Sequence, residues 1–205
     1  AVTIEAAGQA YTARRMVIAT GSRAALPPIP GLAEVPYFTN ETLFENREKP
    51  EHLIVIGGGP IGMEMAQAHR RLGSRVTVVE AFEPLAKDDP EVAAILLEKL
   101  ASDGITILTR TPVKGVRRTE TGIAIDTDGK GTVEGSHLLV AAGRIPNIEN
   151  LNLDKAGIAH TKRGISVDQG LRTSNRRVYA VGDVAGGLQF THVAAYHAGL
   201  VIRNA

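Results

Sequence analysis

Three glycines stand at Gly57, Gly59 and Gly62, and a carboxylate, Glu80, follows twenty-three residues after the first. The apolar run "HLIVIG" (52–57) leads into the glycines, and "VTVVE" (76–80) ends on the carboxylate. Glycines in this spacing, between a strand and a helix, do three jobs. The first permits a tight turn, the second lets the backbone approach a pyrophosphate, and the third lets helix and strand pack closely. The helix start behind them offers free N–H groups and the positive end of a dipole to phosphate. A carboxylate at the end of the next strand accepts hydrogen bonds from ribose hydroxyls and repels a 2′-phosphate. Glu83 adds a second negative charge, and residues 81–86 contain no Arg or Lys. The stretch therefore implies a nicotinamide dinucleotide site in which NAD is favoured over NADP. The competing reading is a strand–helix turn that needs small residues for packing alone, with Glu80 as a surface charge.

Other chemistries find little support. The chain has no cysteine, which excludes a disulfide framework, a thiolate metal site and a thiol nucleophile within it. Six histidines, His52, His69, His137, His160, His192 and His197, lack metal-ligand spacing with a second ligand, so no metal is expected. Asp88 and Asp89 precede a helix and read as caps. There is no Gly-x-Ser-x-Gly elbow for a serine hydrolase.

The elements that would position these residues follow from the same rules. A helix over 60–72 opens on Pro60, whose missing N–H is not needed in a first turn, and closes on "HRRLG". Asp89-Pro90 opens a second helix, with Val92, Leu96 and Leu100 on one face and Ala93 and Leu97 beside them. "ITILTR" (105–110) reads as a third strand, 113–135 as an antiparallel meander, and "HLLVAAG" (137–143) as a buried strand. Upstream, "VTIE" (2–5) and "RMVIATG" (15–21) read as two strands joined by a turn at Gly8. "LPPIPGLAEVP" (26–36) reads as an extended crossover, because four prolines preclude a helix or a central strand. A short helix is expected in "NETLFENREKP", a strand in "VYAVGD" (178–183), and a final helix in "FTHVAAYHAGLVIRNA".

The expected fold class is α/β, a doubly wound parallel sheet of Rossmann type with a β-meander insertion. The expected divisions are a flank at 1–48, a dinucleotide-binding domain at 49–148, and a returning flank at 149–205. Composition sets outer bounds. The chain has 205 residues, is 43% hydrophobic and 22% charged, and carries a net charge of +1. No basic stripe suggests a nucleic-acid partner, and no run of eighteen apolar residues suggests a membrane span. The first residues lack the form of a signal peptide. A soluble, cytoplasmic protein is the expectation.

Five segments taken together, "ATGS" (19–22), "GGGPIGME" (57–64), "VVE" (78–80), "AAGRIPN" (141–147) and "VYAVGDVAGG" (178–187), resemble the FAD-dependent pyridine nucleotide–disulfide oxidoreductases. The resemblance covers the whole chain and points to the dihydrolipoamide dehydrogenase and mercuric reductase-like branches. It implies that the central domain binds NAD and that both flanks belong to an FAD domain. On that likeness Gly57, Gly58, Gly59, Pro60, Ile61, Gly62, Met63 and Glu64 meet the nicotinamide dinucleotide, and Glu80 meets its ribose. Val113 lines the adenine site, and Gly143 lies near the nicotinamide half. Thr20, Gly21 and Ser22 approach FAD, Asp183 accepts a hydrogen bond from its ribityl chain, and Gln189, Phe190, Thr191 and His192 lie along the flavin. Glu64 resembles the family's glutamate that pairs with a lysine beside the flavin. Pro60 departs from the pattern, since many members carry a larger gating side chain there and proline cannot swing.

The resemblance also implies absences. The family's first glycine fingerprint for FAD, its redox cysteines and its C-terminal domain with a His–Glu pair are not found in this sequence. The family reaction moves hydride from nicotinamide to flavin and then electrons to a disulfide, or the reverse, so the chain looks like an excised segment holding the nicotinamide end of that path. The intact enzyme is expected to be a homodimer, and this chain alone is expected to be inactive and colourless. Lipoamide, glutathione, Hg(II) and oxygen all remain open as terminal substrates, as does a stand-alone NAD(H)-binding protein.

Overall fold

The computed structural model describes residues 1–204. Backbone contacts divide the chain into a central unit, 24–143, and a flanking unit formed by 1–23 with the chain from 144 onward.

The central unit is built on four parallel strands: β1 (His52–Ile56), β2 (Arg75–Val79), β3 (Thr106–Leu108) and β4 (His137–Val140). Their order in the sheet is β4-β1-β2-β3. The chain thus goes from β1 to β2 and on to β3 on one side, and β4 joins on the other, which makes the C-terminal end of β1 a topological switch point. All of β1 is buried, as the unbroken apolar run requires of a strand covered on both faces. One face packs Leu53, Val55, Val76 and Val78 against Met63, Ala66 and Leu100. The other packs Ile54, Ile56, Val79 and Leu138 against Leu32, Val116 and Ile125. Each of the Val, Leu, Ile and Met side chains contributes about 1.5–3 kcal/mol when fully buried.

Helix α1 (Pro60–Arg71) covers the first face with Gly62, Met63 and Ala66, and ends in three basic residues with Gly73 beyond at φ 93°. Helix α2 (Pro90–Ser102) is capped as expected: the Asp89 carboxylate accepts from the N–H groups of Glu91 (3.0 Å) and Val92 (3.3 Å). Its buried face differs from the sequence expectation. Ala93 and Leu100 are buried and Leu97 packs beside them, while Val92 is 64% exposed. Both stripes are apolar, so periodicity alone could not choose between them.

A three-stranded antiparallel meander, Val113–Thr119, Gly122–Thr127 and Gly131–Gly135, fills the connection from β3 to β4. The proline-rich crossover is extended apart from one 3-10 turn, Leu32–Glu34. Gly31 before it has φ 78°, and a Cβ there would stand 2.0 Å from the Val116 carbonyl oxygen. The helix expected in "NETLFENREKP" is only a 3-10 turn, Leu43–Glu45. The central unit takes in 24–48, which the boundary at 48 leaves with the flank. The physical reason is apolar: Leu32, Val35 and Leu43 are buried in its two cores.

In the flanking unit, Val2–Ala6 pairs antiparallel with Gln9–Ala13 around a turn at Ala7 and Gly8, both at positive φ. This corrects the expected pairing of 2–5 with 15–21. The second strand of the hairpin is largely exposed and so leaves no burial pattern to read. Met16–Ile18 instead pairs in parallel with Val178–Ala180. Helix α3 (Thr191–Asn204) follows. Among the described residues no helix is long and apolar enough to cross a membrane.

Candidate functional site

In the central unit the residues of the glycine stretch meet at the C-terminal end of β1. Gly57 has φ 113°, and a Cβ on it would lie 2.4 Å from the Ala141 carbonyl oxygen. Only glycine fits, and the turn presses against the exit of β4, two residues before Gly143. Gly62 is closed in the same way: its Cβ would lie 2.1 Å from the Gly57 carbonyl oxygen. Gly59 is the opposite case, with nothing within 4 Å of a Cβ. It is the N-cap of α1 in an extended conformation, and no side chain caps that helix start. The first N–H groups of α1 are therefore left for another acceptor. Two glycines closed by backbone and one open between them match the three roles that a dinucleotide turn demands.

Gly58 is held from both sides. Its N–H donates to Glu80 Oε2 (2.6 Å), and its carbonyl accepts from Leu85 N–H (2.9 Å), with Leu85 at φ 53°. Glu80 Oε1 accepts in turn from Phe82 N–H (2.8 Å). The expected ribose carboxylate thus touches the glycine turn directly and is aimed by two backbone donors. Each of its oxygens keeps a second lone pair for a hydroxyl.

Pro60 is exposed in the first turn of α1, Ile61 is half-buried, and Met63 is buried against the sheet. Glu64 is exposed, and no ion pair involves it among the described residues. Val113 is half-buried at the start of the meander, two residues beyond Thr111, whose N–H donates to the Glu80 carbonyl (2.8 Å). Gly143 is exposed at φ 120°.

One residue at this end of the sheet went unnoticed in the sequence. Arg110, just past β3, donates its backbone N–H to the Phe82 carbonyl (3.0 Å), and its Nε pairs with the Glu83 carboxylate. The absence of Arg and Lys from 81–86 therefore does not leave that loop free of cations. The signal available was the parallel neighbourhood of β2 and β3, which aligns Val79 with Leu108.

In the flanking unit a second cluster forms around Asp183. This residue lies in a 3-10 turn, Gly182–Ala185, past the strand expected to hold it. Ser22 Oγ donates to Asp183 Oδ2 (2.5 Å), and Arg144 donates from Nε to Ser22 Oγ (2.6 Å) and from Nη2 to the Ser22 carbonyl (2.9 Å). Arg144 also lies 3.5 Å from Asp183 Oδ2. Asp183 Oδ1 accepts no hydrogen bond among the described residues, which leaves it open to another donor. Thr20 Oγ1 donates to the Asn147 carbonyl (2.7 Å), and Gly21 accepts from Asn147 N–H (2.9 Å), which fixes "ATGS" beside "RIPN". Gly182 N–H donates to His197 Nδ1 (3.2 Å). At the start of α3 the Phe190 and His192 rings stack with centroids 5.3 Å apart, next to Gln189 and Thr191.

Known proteins resemble the chain along its length. Residues 1–198 match the profile of the family described as pyridine nucleotide-disulphide oxidoreductase. A mercuric reductase of Staphylococcus aureus is 41% identical over 99% of this chain and 38% of its own length. A dihydrolipoyl dehydrogenase of Geobacillus stearothermophilus is 37% identical over 92% of this chain and 41% of its own. The HOCl-induced flavoprotein disulfide reductase RclA of Escherichia coli, solved as a Cu(II) complex, superimposes with a TM-score of 0.90 at 31% identity, over 95% of this chain and 46% of that one. The chain spans less than half the length of each of these relatives.

Proposed function

The chain belongs to the pyridine nucleotide-disulphide oxidoreductase family, and from that premise we propose that it is the NAD(H)-binding portion of a flavin-dependent disulfide oxidoreductase. The observation that carries this reading is the glycine turn: open at Gly59, closed at Gly57 and Gly62, and bonded to Glu80 through Gly58. Phosphate would meet the uncapped start of α1 at Gly59, and the adenosine ribose would meet Glu80. A nicotinamide cofactor supplies a hydride donor or acceptor. The work of these residues is to hold it by its phosphates and ribose.

The Asp183 cluster favours a flavin enzyme over a stand-alone NAD(H) binder. A carboxylate fixed on one oxygen by Ser22, with Arg144 behind it, leaves its other oxygen for a hydroxyl. In this reading Thr20, Gly21, Ser22, Asp183 and residues 189–192 serve FAD in a cytoplasmic, homodimeric whole enzyme. The terminal substrate lies between the dihydrolipoamide and mercuric reductase-like branches, and the mercuric reductases among the relatives favour the second. The 205-residue chain tested alone is expected to bind NADH without turnover, because it has no cysteine to receive electrons.

Titration of the purified chain with NADH and with NADPH, followed by nicotinamide fluorescence, tests the reading. NADH should bind more tightly. Equal or tighter binding of NADPH would reject the NAD preference, and binding of neither would reject the dinucleotide site.

A further inference from the structure

Arg110 stands at the ribose end of the proposed site with most of its hydrogen-bonding capacity unused. Its position is set by the backbone. Its N–H bonds the carbonyl of Phe82, whose own N–H holds the Glu80 carboxylate. The next residue, Thr111, bonds the Glu80 carbonyl. Arg110 adopts φ 50°, a left-handed conformation that a side chain other than glycine or asparagine rarely takes. The loop 80–83 and the exit of β3 are therefore stitched together by these two backbone hydrogen bonds, and the guanidinium rises from that seam.

The guanidinium is only half engaged. Nε pairs with Glu83, and neither terminal nitrogen donates to a protein acceptor among the described residues. Both partners are well exposed, the Arg110 side chain at 80% and that of Glu83 at 52%. Exposed pairs of this kind hold weakly, while a guanidinium binds phosphate oxygens through two parallel N–H bonds. A dianionic phosphate ester next to the ribose could then compete for the fork, but it would meet Glu83 as well as Glu80.

We infer that the Arg110–Glu83 pair determines nucleotide preference at this site: Glu83 occupies and neutralises Arg110, and without the Glu83 charge Arg110 becomes the partner of a 2′-phosphate. The inference rests on the dinucleotide reading of the Gly57–Gly62 turn. It adds that the discrimination lies in two exposed residues from different loops as well as in Glu80. NADPH-using variants of the site would then need no new cation, only the loss of one anion.

The test is a double-substitution cycle read by calorimetric titration with NADH and NADPH. Glu83→Gln should raise NADPH affinity about tenfold relative to NADH, and the gain should shrink as salt is added. Glu83→Gln combined with Arg110→Asn should lose that gain, asparagine being chosen because it tolerates the left-handed backbone. Arg110→Gly, free of backbone strain, serves as a second removal if the asparagine variant does not fold. If E83Q leaves the NADPH-to-NADH ratio unchanged while NADH still binds, the inference fails and the dinucleotide reading stands. If the gain survives in the double variants, simple loss of repulsion explains it and Arg110 has no part. If neither nucleotide binds the unsubstituted chain, both readings fall.

Discussion

A Cβ on Gly62 would stand 2.1 Å from the carbonyl oxygen of Gly57, so the first turn of α1 and the exit of β1 touch backbone to backbone. Gly59, three residues earlier on the same turn, faces open space. Two alanine substitutions should therefore separate folding from binding. Gly62→Ala must push helix and strand apart and should cost about 1–3 kcal/mol in a denaturant titration. Gly59→Ala, at an ordinary negative φ, should change stability by no more than about 0.5 kcal/mol. It should still weaken NADH binding roughly tenfold by filling the approach to the phosphates. A Gly59→Ala chain with unchanged NADH affinity would remove the phosphates from this turn.

Glu80→Arg should move preference from NADH toward NADPH, because it removes a repelling carboxylate and adds a phosphate partner. The structure adds a cost to this exchange. Gly58 N–H and Phe82 N–H both lose their acceptor, which should lower stability by about 1–3 kcal/mol. Parallel melting and titration of the variant measure both effects, and an unchanged preference would place Glu80 away from the ribose.

His52 gives the central unit a pH dependence. The ring is buried, with Nε2 2.9 Å from Thr77 Oγ1. Burial pushes the imidazole below its ordinary 6.5, and the neighbouring Arg75 charge pushes the same way. Between the unfolded and folded values the unfolded chain binds more protons, so stability is full above 6.5 and is lost as pH falls toward the folded value. The melting temperature should drop across that interval. His52→Gln, which keeps a hydrogen-bonding group without a titrating ring, should flatten this part of the profile.

Arg23 and Glu149 form an exposed pair with two charge-assisted contacts, at 2.7 and 2.9 Å. The hydrogen bonds from Arg23 hold the Glu149 carboxyl at about 2, down from 4.5. The associated stability is present above 4.5 and is lost as pH falls toward 2, and solvent screening keeps it small. Arg23→Gln should raise the Glu149 carboxyl toward its ordinary range in an NMR titration while scarcely moving the melting temperature near neutral pH.

The central unit was legible in the sequence because its signals are local. The apolar run of β1, the three glycines and the Asp89 cap each carry their own physical reason, and each element stands where it was expected. The harder parts depend on partners distant in the chain. Gln9–Ala13 has no buried face and so no alternation to notice. The buried face of α2 could be chosen only once the sheet beneath it was known, since Val92 and Ala93 are both apolar. Arg110 lies thirty residues beyond Glu80 and reaches the same loop only through strand pairing. The Ser22–Asp183 contact joins residues 161 apart.

The clamp on Gly58 has a kinetic consequence. Glu80 holds its N–H and Leu85 holds its carbonyl, so the glycine turn and the 80–85 loop form one stiff piece before any ligand arrives. A ligand docking there has little loop entropy to remove, and its arrival should be a single encounter with no slow closing step. Stopped-flow traces with NADH should then be single exponentials whose rate rises linearly with concentration. Loosening the clamp through Leu85→Gly, which frees the backbone beyond the turn, should show itself first as slower association.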